Sequence, residues 1–450
     1  MAPPDLQFPP GFWWGTATAS YQIEGAVSED GRGPSVWDTF SHTPGRVANG
    51  ETGDVACDHY HRFRDDVALM ADLGLTHYRF SIAWPRIQPN GQGAVNPAGL
   101  DFYSQLVDEL LAKGITPVPT LFHWDLPQAL EDEGGWLARD TAARFGEYAG
   151  IVASALGDRV PAWITLNEPF VHITLGYAIG THAPGRSLLA GSFPATHHHL
   201  LGHGLAVQAL RAALPATAKI GTTNNVSTAR PATDSPEDRA AAEAMELFHV
   251  DLYNDPLFLG RYPQGLDAVF PALDWSVVLD GDLAVIGQPL DFLGVNYYAP
   301  SIVRAGGPDS PFPFRPVEQT GDDLTDMGWV VIPEGFTEIL VSMKKRYADA
   351  LPPIYITENG AAYPDVVGAD GEVDDPKRIA YIERHLRAVR AAIDLGVDVR
   401  GYFVWSFLDN FEWAEGYRPR FGLVRVDYET QQRTPKRSFH WYRDLIAAQH

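Results

Sequence analysis

Short runs rich in β-branched and aromatic residues recur along the chain, each followed by a polar loop and then by apolar positions at helical spacing. These runs predict strands at 12–22, 76–84, 115–124, 162–169, 219–226, 291–298, 353–360 and 399–407. Between them, helices are predicted at 62–73, 97–113, 140–156, 197–214, 236–250, 334–349 and 376–395, with a closing helix after Pro435. Pro97, Pro236 and Pro376 suit first helical turns. Gly74, Gly114, Gly157 and Gly396 suit the left-handed position after a helix. Most strands lack strict alternation, as strands covered on both faces do. The pattern therefore predicts an α/β fold: a (β/α)8 TIM barrel, one domain spanning 1–450, with enlarged loops after its strands. An open doubly wound sheet is the alternative, but no GxGxxG or phosphate loop follows any strand. The longest loops, 34–57, 301–332 and 361–375, are rich in Gly, Pro and Asp. The second follows strand six and is expected to shape the barrel entrance.

Composition adds limits. With 45% hydrophobic and 20% charged residues the chain can bury a large core. Its net charge of −23 disfavours nucleic acid and anionic lipid as partners. No apolar run is long enough for a membrane span. The start, MAPPDLQFPPG, lacks the parts of a secretory signal, and Cys57 stands alone, so a cytoplasmic location is expected. Cys57 has no catalytic signature around it and reads as a partly buried thiol. Homo-oligomer formation is left open.

Polar residues gather at one place in the pattern, the C-terminal ends of strands: Gln22, Arg79, His123, Asn167 with Glu168, Asn296 with Tyr298, Glu358 with Asn359, and Trp405. A barrel brings these ends to one rim. Charge there is costly unless it works or pairs. A lone Glu at a strand end is more often a salt-bridge residue, and Arg79 alone reads as an interior ion pair. Two glutamates in similar settings, TLNEP (165–169) and ITENG (356–360), shift the balance toward glycoside cleavage by paired carboxyls. Several of the 12 tryptophans flank carboxylates and amides, as in HWD (123–125) and WSFLDNFEW (405–413), a mixture suited to sugars. His199 and His203 in THHHLLGHG are spaced as a possible metal pair, but there is no HExxH and no third ligand, so a helix with packed or solvent-facing histidines is expected.

At these residues the chain resembles glycoside hydrolase family 1, the β-glucosidase family. The likeness runs nearly end to end, through FWWGTATASYQIEGA (12–26), RFSIAWPRI (79–87), FHWDLP (122–127), TLNEP, NYY (296–298), YITENG (355–360), WSFLDNFEWAEGY (405–417) and RFGL (420–423). The resemblance implies hydrolysis of a small-molecule β-glycoside with retention, without metal or cofactor. It implies Glu168 as acid/base and Glu358 as nucleophile, supported by Arg79, Asn296 and Tyr298. It further implies that Gln22, His123, Trp124, Asn167, Trp405, Glu412, Trp413 and Phe421 hold the sugar. Phe170, His182 and Trp329 would lie toward the leaving group; many members carry Trp at the position of Phe170. Members acting on 6-phosphorylated sugars have a Ser/Lys/Tyr pattern where this chain has Glu412 and Trp413. A Glu412 carboxylate would repel phosphate, so neutral glycosides are expected. Galactosides and fucosides are expected as side substrates. A sugar-binding pseudoenzyme and a metal-dependent hydrolase are the rival readings.

Overall fold

The computed structural model describes residues 6–307, 310–321, 323–369 and 371–449. The first residues of the MAPPDLQFPPG start, and single positions within loops 301–332 and 361–375, lie outside the described residues.

Eight parallel strands close into a barrel: β1 Trp13–Ala17, β2 His77–Ser81, β3 Thr116–Phe122, β4 Ala162–Asn167, β5 Lys219–Asn225, β6 Phe292–Asn296, β7 Ile354–Asn359 and β8 Val399–Trp405. Closure comes from β1, which pairs with β8 (Trp13 to Gly401) and with β2 (Gly15 to His77). The principal outer helices are α1 His59–Leu73, α2 Pro97–Ala112, α3 Asp140–Leu156, α4 Phe193–Ala213, α5 Pro236–Glu246, α6 Glu334–Tyr347, α7 Pro376–Asp394 and α8 Arg437–Ala447. Each presents an apolar stripe to the barrel, as Val67, Met70 and Leu73 do on α1. The prolines at 97, 236 and 376 occupy first turns. No helix among the described residues is long and apolar enough to cross a membrane.

The structure departs from the predicted boundaries in several places. The first strand stops at Ala17, and Ser20–Ile23 forms a helical turn because the Ser20 amide bonds the side chain of Ser81 on β2, at 2.7 Å, and not a backbone carbonyl of that strand. Gln22 therefore sits on that turn. Gly74, Gly114 and Gly396 are left-handed, but Gly157 has φ −67° and is helical. Its reason is crowding: a Cβ there would meet the Leu214 side chain and the Ala153 carbonyl. Loop 301–332 is partly regular, since Ser301–Ala305 and Phe314–Pro316 join Ala229–Pro231 in a small sheet packed on α5. The chain beyond α5 stays helical, through a wide π-type turn (Leu247–Asp251) and a helix Leu252–Phe258.

A buried ionic network ties together the loops after β7 and β8 and the start of α8. Lys436 Nζ contacts Asp365 and lies 2.6 Å from Asp409, while Arg378 contacts Asp365 and Asp375 and donates to the Arg420 carbonyl. Asp409 also takes the Arg420 guanidinium at 2.7 Å and the Gly422 amide at 2.9 Å. Lys436→Met should cost roughly 3–5 kcal/mol, since it takes one cation from two buried carboxylates and leaves Asp365 to Arg378 and Asp409 to Arg420. Denaturant unfolding measures the loss; a change under about 1 kcal/mol would mean the network does not brace these loops.

Candidate active site

The strand ends converge on a cavity of about 360 Å³ at the C-terminal mouth of the barrel. Glu168 follows β4 in a left-handed conformation (φ 48°), rare for a non-glycine residue, which turns the chain out of the strand into the helix Pro169–Ile173. Glu358 lies within β7. Gly360 next to it has no room for a Cβ, which would meet the Trp405 carbonyl, so the end of β7 can press against β8.

The two carboxyls have different partners. Glu358 accepts from Arg79 at 2.6 Å on one oxygen and from the Tyr298 hydroxyl at 2.6 Å on the other. Arg79 also donates to Thr120 Oγ1, the Thr357 carbonyl and, at 2.6 Å, Asn167 Oδ1. Glu168 touches no cation among the described residues. Its Oε1 accepts from the side-chain amides of Asn296 (2.9 Å) and Asn225 (3.2 Å). Burial pushes the Glu168 pKa up to about 8, and the Glu358 charge adds to the rise, against the Asn296 amide and Arg79. Burial also raises Glu358, but the Arg79 charge and then the Tyr298 hydroxyl oppose it. The carboxyl bound by a cation ionises first, so the pair's first proton leaves Glu358. Burial and the Glu358 charge keep the Tyr298 hydroxyl protonated as a donor.

The walls are aromatic. Trp413 packs against Trp37 and Trp124 (ring centroids 4.6 and 4.7 Å), and Trp405 stacks with His123 at 5.9 Å. On the far side Tyr298 meets Trp329 at 5.2 Å, with Phe421 beside both. Asn167 Oδ1 accepts from Arg79 and Asn296, so its amide nitrogen donates to His123 Nε2 at 3.0 Å. His123 is neutral because burial holds its pKa far down, so its proton sits on Nδ1. That Nδ1 and Gln22 Oε1 are buried polar atoms without a partner in the protein, a donor and an acceptor fit for a hydroxylated ligand. Gln22 is held by Asn410, the Phe411 carbonyl and Glu412.

Of the sequence-predicted residues, His123, Trp124, Glu168, His182, Tyr298, Trp329, Glu358, Trp405, Glu412, Trp413 and Phe421 line the cavity. Arg79, Asn167, Asn296 and Gln22 stand behind them. Phe170 lies behind the wall too, stacked on His249 at 3.8 Å. Sequence reasoning missed Asn225 and His249. Asn225 ends β5 and obeys the rule that found the others. His249 sits in the irregular turn after α5, where no periodicity marks it. Burial and the Glu358 charge push Glu412 up to about 8, which weakens its repulsion of a phosphate near neutral pH. The lining has no Lys or Arg among the described residues to receive a phosphate dianion. Its histidines are neutral as well, with burial taking His182 down to about 4 and His249 to about 3.

The THHHLLGHG histidines are packed inside α4. His203 bonds Thr165, His197 bridges Tyr262 and Asp282, and His199 packs on Trp136 and Phe122. No group of three metal-ligating side chains occurs among the described residues. Cys57 is fully buried and donates to the Asp409 carbonyl.

A parallel (β/α)8 barrel with two carboxyls at an aromatic-walled mouth is the arrangement of a glycoside-cleaving enzyme. The model of glycosyl hydrolase family 1 matches residues 5–450, and the chain belongs to that family. It is 45% identical to β-glucosidase A of Acetivibrio thermocellus, each chain covered to 98%. It is 48% identical, with the same coverage, to a bifunctional β-D-glucosidase/β-D-fucosidase of Bifidobacterium breve. Among solved structures, the β-glucosidase of Thermotoga maritima in complex with glucoimidazole superposes with a TM-score of 0.94, at 47% identity and 99% coverage of each chain.

Proposed function

We propose that the protein is a retaining β-glucosidase for neutral glycosides, with Glu358 as nucleophile and Glu168 as acid and then base. The Glu358 carboxylate bonds the anomeric carbon while the Glu168 proton passes to the departing oxygen, which leaves as a neutral alcohol. Glu168, now a carboxylate, takes a proton from water as that water attacks the anomeric carbon and frees Glu358. The observation that carries this reading is the asymmetry of the pair: one carboxyl held by a cation and a phenol, the other by amides alone. The free Nδ1–H of His123 and Oε1 of Gln22 support binding of the sugar hydroxyls. The name of the B. breve relative supports β-fucosides as additional substrates.

Matched 4-nitrophenyl glycosides test the reading. The β-glucoside and β-fucoside should be cleaved, with or without chelator, and the 6-phospho-β-glucoside should be poorer by about 100-fold or more, because a dianion would be desolvated with no cation to receive it. Release that chelator abolishes, or preference for the phosphorylated sugar, would overturn it.

A further inference from the structure

Behind the proposed acid lies a short relay that the chemistry above does not use. His249 Nε2 is 2.7 Å from Asn225 Oδ1, and Asn225 Nδ2 is 3.2 Å from Glu168 Oε1. His249 is 5% exposed and reaches this place because it lies in the π-type turn Leu247–Asp251, whose extra residue re-aims side chains within a helix. Its ring is clamped face to face on Phe170 at 3.8 Å and 21°. Its Nδ1 is buried without a partner in the protein, so a proton there would go unpaired. The proton therefore sits on Nε2 and is donated to Asn225 Oδ1, which forces the Asn225 nitrogen toward Glu168. Asn296 is pinned in the same way, its Oδ1 taken by the Thr357 hydroxyl at 2.7 Å and its nitrogen 2.9 Å from the same Glu168 oxygen. Two amide donors thus meet on Oε1, which leaves Oε2 to hold the proton.

We infer that His249 is a positioning residue for the acid: through Asn225 it keeps Glu168 Oε1 as an acceptor, so that the transferable proton stays on Oε2. The inference rests on Glu168 being the acid. Without the His249 donor the Asn225 amide is free to rotate. Its carbonyl would then face Glu168, competing for the acid proton in the first step and repelling the carboxylate in the second.

His249→Phe keeps the ring on Phe170 and removes the donor; His249→Gln keeps an N–H. The probes are cellobiose, whose leaving group needs protonation, and 2,4-dinitrophenyl β-glucoside, whose leaving group does not. His249→Phe should lower kcat/KM about tenfold or more on cellobiose and less than about threefold on the dinitrophenyl substrate. His249→Gln should recover most of the loss. On an Asn225→Ala background, His249→Phe should add less than about twofold, since the two act as one unit. Equal losses on both substrates, or effects of the two substitutions that multiply, would overturn the inference. Glu168→Ala runs beside them: a flat leaving-group dependence there would remove the acid assignment itself, whereas a steep one with a flat His249→Phe removes only the role of His249. Thermal unfolding separates a misfolded variant, in which case His249→Gln and Asn225→Ala carry the comparison.

Discussion

Glu358→Gly should lose hydrolysis by on the order of 10⁵-fold, and sodium azide should restore turnover while giving the glycosyl azide of inverted configuration. The loss follows from what Glu358 alone provides. It is the carboxyl fixed on both oxygens, by Arg79 at 2.6 Å and Tyr298 at 2.6 Å, and so held ionised beside a neutral acid. Glycine removes the proposed nucleophile and opens space where it stood. Azide can enter that space and attack from the face opposite the leaving group, with Glu168 still in place to protonate. The product's configuration is read by NMR. Absence of rescue, or an azide of retained configuration, would move the nucleophile elsewhere.

Glu168→Ala should cost about 10²–10⁴-fold on cellobiose and alkyl glucosides, and much less for glycosylation by 2,4-dinitrophenyl glucoside. A phenolate that leaves unaided gains little from an acid. The pH profile provides a second readout. As the proposed acid, Glu168 must be protonated in the free enzyme, and burial pushes its pKa up to about 8. As pH rises through about 8 the acid form disappears, so kcat/KM for poor leaving groups should fall on the alkaline side. Glu358, Arg79, Tyr298 and Glu412 all face this carboxyl electrostatically, so the limb is a property of the cluster. In Glu168→Ala that limb should vanish. An unchanged alkaline limb would assign it to another group.

Much of the architecture was legible because it is local. Buried parallel strands need continuous apolar runs, and helices between them need a stripe at period 3.6, so both patterns are written along the chain. Gly74, Gly114 and Gly396 carry their turn chemistry openly, whereas Gly157 reads the same but is glycine because Leu214 lies against it. The Ser20 amide that turns the chain after Ala17 finds its acceptor in Ser81 Oγ, more than 60 residues on, so the prediction ran past it. Loop 301–332 read as irregular because Ser301–Ala305 is completed as a strand by Ala229–Pro231, some 70 residues earlier, and Phe314–Pro316 pairs in turn with Ser301–Ala305.

The same division holds in the site. The strand-end rule and the two glutamates are written in the chain, because a charge at the end of a buried strand is visible as an exception to the apolar pattern. The chain also carries Asn225, which that rule covers. Which carboxyl meets Arg79, the raised pKa of Glu412, and the reach of His249 to Asn225 all come from the folded chain. Each depends on burial and on distances of 2.6 to 3.2 Å between segments far apart in the chain. A pKa is set by solvent exclusion and nearby charge, and neither exists until the barrel closes.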